Sequence, residues 1–263
     1  MSIKNALDQL FSHKSEQILS LFCTAEYPQK GDTRKLLDHL YKAEVDMIEL
    51  GIPFSDPVAD GNTIQEANAI ALSNGANLKM ILDSLSKQNL DSKPILLMGY
   101  LNPFLQYGIE ELCKRCNEIG IAGLIIPDLP PELFCLKYES ISEKYGVHFI
   151  HLISPESSDD RIRFIDAIST GFIYAVSSNS TTGNEQKGNN QAFLERIKAS
   201  KLKNKVLLGF NIRNHSDYAL ACQYTNGTII GSQFIRHLND NGLSKVSVDQ
   251  FVNSIKYAQI HSL

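Results

Sequence analysis

Residues 47–65 read MIELGIPFSDPVADGNTIQ, and this stretch contains the repeating unit of the whole chain: a short apolar run, a loop, and the start of a helix. Met47 to Ile52 is apolar enough for a strand buried on both faces. Pro53 cannot extend a ladder, Ser55, Asp56, Pro57, Asp60 and Gly61 are loop formers, and a helical pattern sets in from Thr63. Glu49 stands inside the apolar run. A lone carboxylate in such a strand costs several kcal/mol unless it is paired, protonated or used in chemistry. Glu49 and Asp60 are therefore the first candidates for a site.

Working outward, the same unit recurs. Strands are expected at Ile18 to Cys23, Met47 to Ile52, Ile95 to Tyr100, Gly123 to Asp128, His148 to Ile153, Gly171 to Val176, Val206 to Asn211 and Gly227 to Ser232. Each is followed by a helical pattern: Thr33 to Ala43, Ile64 to Ser73, Ile109 to Ile119, Pro131 to Tyr145, Ser157 to Ala167, Gln191 to Ser200, Ser216 to Gln223 and Val246 to Gln259. Eight such units fit a closed α/β barrel of the (β/α)8 TIM type, with residues 1–263 as one domain, although an open doubly wound sheet could host the same alternation. Three helical runs lie outside the repeat. Ile3 to Phe11 could plug the bottom of a barrel, Leu78 to Leu85 adds a helix to the second unit, and Gln233 to Leu238 adds a short one to the eighth.

Composition narrows the function. A charge of -4 spread without long runs gives nucleic acid no footing, and the cluster Lys201, Lys203, Lys205 reads as a solvated turn. The first residues lack the apolar core of a signal peptide and no segment is long and apolar enough to span a membrane, so a cytoplasmic protein is expected. Five cysteines, an odd number, favour reduced thiols. Cys113 and Cys116 form a C-x-x-C inside a helical pattern with no second pair and no adjacent His, which favours packing thiols over a redox or zinc site.

In a barrel, chemistry belongs at the C-terminal strand ends. Unusual residues do collect at those exits: Thr24, Glu49 to Asp60, Tyr100 with Asn102 and Pro103, Asp128, and Tyr174. The polar segment from Ser177 to Gln191 is long for a βα loop and reads as a lid, with Gly183 able to present its backbone N–H. Glycines at the last two exits, with Gly231-Ser232 opening a short helix, are the ingredients of a phosphate site.

With these residues in view, the chain resembles the tryptophan synthase alpha subunit family over essentially its whole length. The pattern E-L-G-x-P-F-S-D-P-x-A-D-G followed by x-T-I-Q runs from Glu49 to Gln65, with Asn62 where the family usually has proline. Supporting matches are Phe22 and Thr24, Met98 to Pro103, Asp128 to Pro130, Tyr174, Thr181 to Gly183, and Gly231-Ser232. The resemblance implies a lyase of tryptophan biosynthesis that cleaves indole-3-glycerol phosphate into indole and glyceraldehyde 3-phosphate without metal or organic cofactor. It implies Glu49 as general acid and base, Asp60 as the carboxylate facing the indole nitrogen, and Tyr174, Phe22, Leu97 and Tyr100 around the substrate. It also implies backbone N–H groups of Gly183, Asn211, Gly231 and Ser232 on the phosphate.

The implied partner is the family's beta subunit in an αββα complex, with Pro53, Asp56 and Pro57 as candidate contacts. The chain departs from the family pattern in three loops. Thr24-Ala25-Glu26-Tyr27-Pro28 replaces T-A-G-D-P, Ser178 and Ser180 stand where the lid has an arginine and a glycine, and Asn211 replaces a glycine of G-F-G-I. These departures motivate an alternative, an alpha subunit with weakened cleavage that acts mainly as the beta subunit's interaction partner. A third reading, a sugar-phosphate epimerase or isomerase on a phosphate-binding barrel, lacks the His/Asp metal set such chemistry would show at the strand exits.

Overall fold

A computed structural model describes residues 5–57, 60–87, 93–176, 184–209 and 212–258. Eight parallel strands close into a barrel: β1 (Ile18–Thr24), β2 (Met47–Gly51), β3 (Ile95–Met98), β4 (Gly123–Ile125), β5 (His148–Ile153), β6 (Phe172–Val176), β7 (Lys205–Gly209) and β8 (Gly227–Ile230). Each pairs with the next, and β8 returns to β1 in the register Ile18 to Gly227. The open doubly wound alternative is thereby excluded.

Side-chain direction alternates with a period of two along each strand. Ile18, Met47, Leu96, Ile125, Ile150, Phe172 and Leu207 point inward and pack together. Their neighbours Leu19, Ile48, Leu97, Leu124, Phe149 and Ile173 point outward into the layer beneath the helices. Because both faces are covered, the strands read as continuous apolar runs.

The surrounding helices are α1 (Ala6–His13), α2 (Asp32–Tyr41), α3 (Asn62–Ser73), α4 (Leu78–Leu85), α5 (Leu101–Tyr107), α6 (Ile109–Ile119), α7 (Pro131–Lys137), α8 (Glu139–Tyr145), α9 (Asp159–Ile168), α10 (Asn184–Ser200), α11 (His215–Ala221), α12 (Ser232–Asn241) and α13 (Lys245–Lys256). The expected plug is α1. Leu7 is fully buried in the inner cluster and Phe11 meets Phe172 edge-on at 6.2 Å. Asn5 caps this helix through a capping box, and its Nδ2 donates to the carbonyls of Ala122 and Gly146, both at 2.8 Å. The cap thus ties the plug to the barrel floor.

Three elements differ from the sequence reading. Pro131 to Tyr145 breaks at Tyr138 (φ -122°), whose ring lies parallel to Phe149 at 6.4 Å, so the bend seats Phe134 and Tyr138 on the same strand residue. Helix α5 was hidden by Pro103, which falls in its first turn where no intrahelical N–H is needed. The Asp128 carboxylate accepts from Leu101 N–H at 2.8 Å and so caps it. Helix α10 begins at Asn184 rather than Gln191, so the C-terminal part of the expected lid is helical. Its anchors Phe193, Leu194 and Ile197 are buried, and extending a formed helix costs little.

The loop after β1 accounts for one departure from the family pattern. Glu26, where the family has glycine, takes φ 59°, a left-handed backbone that favours glycine. Its buried carboxylate accepts from Gly31 N–H at 2.5 Å and from the Thr33 hydroxyl at 2.9 Å, at the start of α2. Those charge-assisted bonds offset the backbone cost. Glu26→Ala keeps the unfavourable φ and strands both donors, so urea unfolding should show a loss of about 1–3 kcal/mol. An unchanged midpoint would refute this role for Glu26.

Candidate functional site

The C-terminal rim of the barrel opens into a cavity of about 340 Å³. Phe22 of β1, Met98 of β3, Tyr174 of β6, Asp60 ahead of α3, and Gly231 and Ser232 at the start of α12 all line it. Each comes from a strand end or the loop after it, as barrel topology requires.

Glu49 stands beneath this cavity in register with Phe22 on one side and Leu96 on the other. It is fully buried. Ser20, two residues before Phe22 and on the same inward face, donates its hydroxyl to Oε1 at 3.0 Å, while Oε2 has no hydrogen-bond partner among the described residues. Burial pushes the carboxyl up to about 8, and the Ser20 bond opposes this only in part. Glu49 is accordingly a carboxylic acid at neutral pH, with one oxygen free to carry a proton.

Asp60 differs in kind. It is half-buried, and burial raises its carboxyl to about 6 against hydrogen bonds from Tyr100 and Asn68, the latter at 3.4 Å. At neutral pH it is mostly a carboxylate. Two acids whose surroundings set different protonation states are the mark of acid/base work. Tyr174 completes the group. Burial holds its hydroxyl well above the usual phenol range, with smaller contributions from Glu49 and Asp60, so it remains a donor.

Close approaches explain two glycines. A Cβ on Gly51 would stand 2.5 Å from the Phe22 ring, and one on Gly209 would stand 2.1 Å from the ring of Tyr174. No side chain fits at either position, so the aromatic rings can lie over bare backbone.

Several sequence-derived candidates fall elsewhere. Leu97 points outward into the helix layer, and its neighbour Met98 lines the cavity instead. A strand buried on both faces has no polar alternation to fix its phase, which is why sequence alone misplaced this contact. Tyr100 is buried, stacks on Phe54 at 5.1 Å and hydrogen-bonds Asp60, bordering a narrow recess beside the main cavity. Of the candidate partner contacts, Pro53 is buried, Asp56 is exposed and Pro57 is half-exposed. Gly183 and Asn211 lie outside the described residues, as do Ser178 and Ser180.

Ser20, Asn68, Arg213 and Arg236 were not singled out from sequence, and Met98 only as the start of a motif. Only Ser20 carried a local signal, a hydroxyl spaced by two from Phe22 in an apolar strand. The two cysteines of C-x-x-C are buried in the outer core, and burial pushes Cys113 to about 12 and Cys116 well above the usual thiol range. They are packing groups. A second cavity of about 340 Å³ beside β4 and β5 holds His151, which burial lowers to about 4, and Asp128, which caps α5. It has no comparable pair of acids. Among the described residues no group of three or more His, Cys, Asp or Glu is placed to hold a metal ion.

Comparison with known proteins agrees with this geometry. Residues 9–261 match the family model described as tryptophan synthase alpha chain. A tryptophan synthase alpha chain of Flavobacterium johnsoniae is 46% identical over 246 residues, covering 92% of this chain and 96% of its own length. One from Parabacteroides distasonis is 43% identical, with 96% and 99% covered. Among solved structures, the tryptophan synthase alpha chain of Legionella pneumophila superposes with a TM-score of 0.83 at 29% identity, over 99% of this chain and 100% of that one. Tryptophan synthase of Mycobacterium tuberculosis in its aminoacrylate-bound form gives 0.83 at 26% identity, over 96% and 100%. With fold, motif and relatives in agreement along nearly its whole length, the chain belongs to the tryptophan synthase alpha chain family.

Proposed function

We propose that the chain is the lyase subunit of a tryptophan synthase and cleaves indole-3-glycerol phosphate to indole and glyceraldehyde 3-phosphate. The observation that carries this reading is a protonated, buried Glu49 beneath the cavity that an ionised Asp60 lines with Tyr174. Glu49 gives its proton to indole C3, and the positive charge that develops on the ring nitrogen is met by the Asp60 carboxylate. The Glu49 carboxylate then takes the proton of the glycerol hydroxyl next to the ring. The carbon–carbon bond breaks, its electrons return to the indole, the aldehyde forms, and Glu49 ends the cycle protonated. Tyr174 orients the glycerol portion, and Phe22 and Met98 flank the ring.

The phosphate end lies toward Gly231 and Ser232, where the N-terminus of α12 offers backbone N–H groups. The family resemblance adds Gly183 and Asn211, which lie outside the described residues, as further backbone donors. The reading also assigns a beta-subunit partner that receives the indole, with the exposed Asp56 as an ion-pair candidate and Pro57 beside it. The two chains would work in the cytoplasm. Supporting this, no described helix is long and apolar enough to cross a membrane, and the cysteines are free.

Indole release from indole-3-glycerol phosphate, measured with and without the cognate beta subunit, tests the proposal; absence of turnover in both conditions overturns it. Glu49→Gln should lower turnover by roughly 10²–10⁴-fold. The same change should stabilise the fold at neutral and alkaline pH. An ordinary glutamate titrates near 4.5 and folded Glu49 near 8, so the folded chain binds more protons and loses stability as pH rises between those values. Glutamine removes that loss, and unfolding curves at pH 5 and pH 8 should diverge for wild type and converge for the variant.

The pH profile of kcat/KM should be a bell, rising as Asp60 ionises near 6 and falling as Glu49 deprotonates near 8. In Asp60→Asn the residual activity should lose its acid limb. A retained acid limb would show that another group sets it.

A further inference from the structure

Arg213 and Arg236 line the same cavity as Asp60, and the mechanism above leaves them unused. Arg236 lies four residues after Ser232 on α12, and both line the cavity. Residues spaced by four share a helix face, and side chains lean toward the helix N-terminus, so Arg236 leans back toward Gly231 and Ser232. Phe234 and Leu238 are buried on the opposite face of α12 and Ile235 is buried beside it, which fixes the rotation of the helix.

Arg213 approaches from the other side. It follows Ile212, which also lines the cavity, and its backbone N–H donates to the Asp217 carboxylate at 2.9 Å, at the N-terminal turn of α11. That bond secures the backbone while leaving the guanidinium uninvolved. Both side chains are exposed, and neither forms an ion pair among the described residues.

From this geometry we infer that Arg213 and Arg236 grip the phosphate of the substrate with their side chains and set the site's selectivity for a dianionic phosphate ester. The inference rests on the reading of this cavity as the indole-3-glycerol phosphate site. Backbone N–H groups alone recognise the shape and partial charge of a phosphate. A guanidinium adds a full charge and a planar pair of donors matched to two phosphate oxygens. Exposed beside the cavity, the two cations also draw an anionic substrate in by its phosphate.

The full-length chain with its beta subunit provides the test, using Arg213→Gln, Arg236→Gln, the double variant and Arg236→Lys. Steady-state cleavage yields KM and kcat, and calorimetry with glycerol 3-phosphate, a non-reacting probe, yields affinity. The double variant should raise KM and weaken glycerol 3-phosphate binding by roughly tenfold or more, with kcat nearly unchanged and Arg236→Lys retaining part of the effect. Raising ionic strength should narrow the gap between wild type and double variant. A double variant that unfolds like wild type yet keeps wild-type KM and affinity overturns the inference while leaving the proposed reaction intact. Arginine-dependent glycerol 3-phosphate binding without cleavage by wild type upholds the anion grip and overturns the reaction. Neither binding nor cleavage by wild type overturns both.

Discussion

The desolvation of Glu49 is the constraint on which the site depends. A carboxyl cut off from water inside the barrel holds its proton up to about pH 8, and that proton is what the proposed cleavage requires. Keeping the group dry demands a closed barrel with a filled interior. The plug formed by α1, the inward ring of Ile18, Met47, Leu96 and Phe172, and the Phe22 ring above Gly51 supply the seal. Ser20 meets one oxygen only, so the acid is held without being neutralised by a cation. An arginine in place of Ser20 would hold the group more firmly and abolish its use, because a neighbouring positive charge favours the ionised form.

The rim divides labour by exposure. Asp60 sits where water and two donors reach it, so its carboxyl rises only to about 6 and remains mostly charged at neutral pH. The two acids thus differ through depth in the barrel and through hydrogen bonding, not through residue chemistry. Tyr174 bridges the levels, since it is buried like Glu49 yet lines the cavity with Asp60. Its place depends on Gly209 in the neighbouring strand, which leaves the room its ring occupies. Barrel closure and site geometry are therefore one structural problem, solved by glycines at the points where aromatic rings cross the backbone.

Much of this was legible in the sequence because each βα unit carries its own period, and because an acid in an apolar strand announces itself. Glu49, Asp60, Phe22, Tyr174, Gly231 and Ser232 were found that way or through the motif. The phase of β3 was not legible: with both faces buried, ILLM offers no alternation, and Leu97 and Met98 exchange places on a one-residue shift. Helix α5 was masked by a proline in the one turn that tolerates it. Arg213 and Arg236 were invisible for another reason. They lie on different βα units, and only the pairing of β7 with β8 sets the two exits around one cavity.

One departure from the family pattern acquires a physical sense when it is set against its surroundings. Glu26 occupies a left-handed backbone position that suits glycine, yet its carboxylate is satisfied by the first residues of α2, so a local cost is exchanged for a firmer β1 exit just beyond Phe22. A glycine there would fit the backbone better and leave Gly31 and Thr33 without that acceptor. The arginine of the family pattern is replaced by Ser178, while two other arginines line the cavity. Ordering a long charged side chain costs up to about 2 kcal/mol. Arg236 stands on a helix whose rotation is fixed by three buried residues, and Arg213 follows a backbone tied to Asp217. Charge placed on such supports is available before the substrate arrives, and the anion it meets need organise less of the protein on binding.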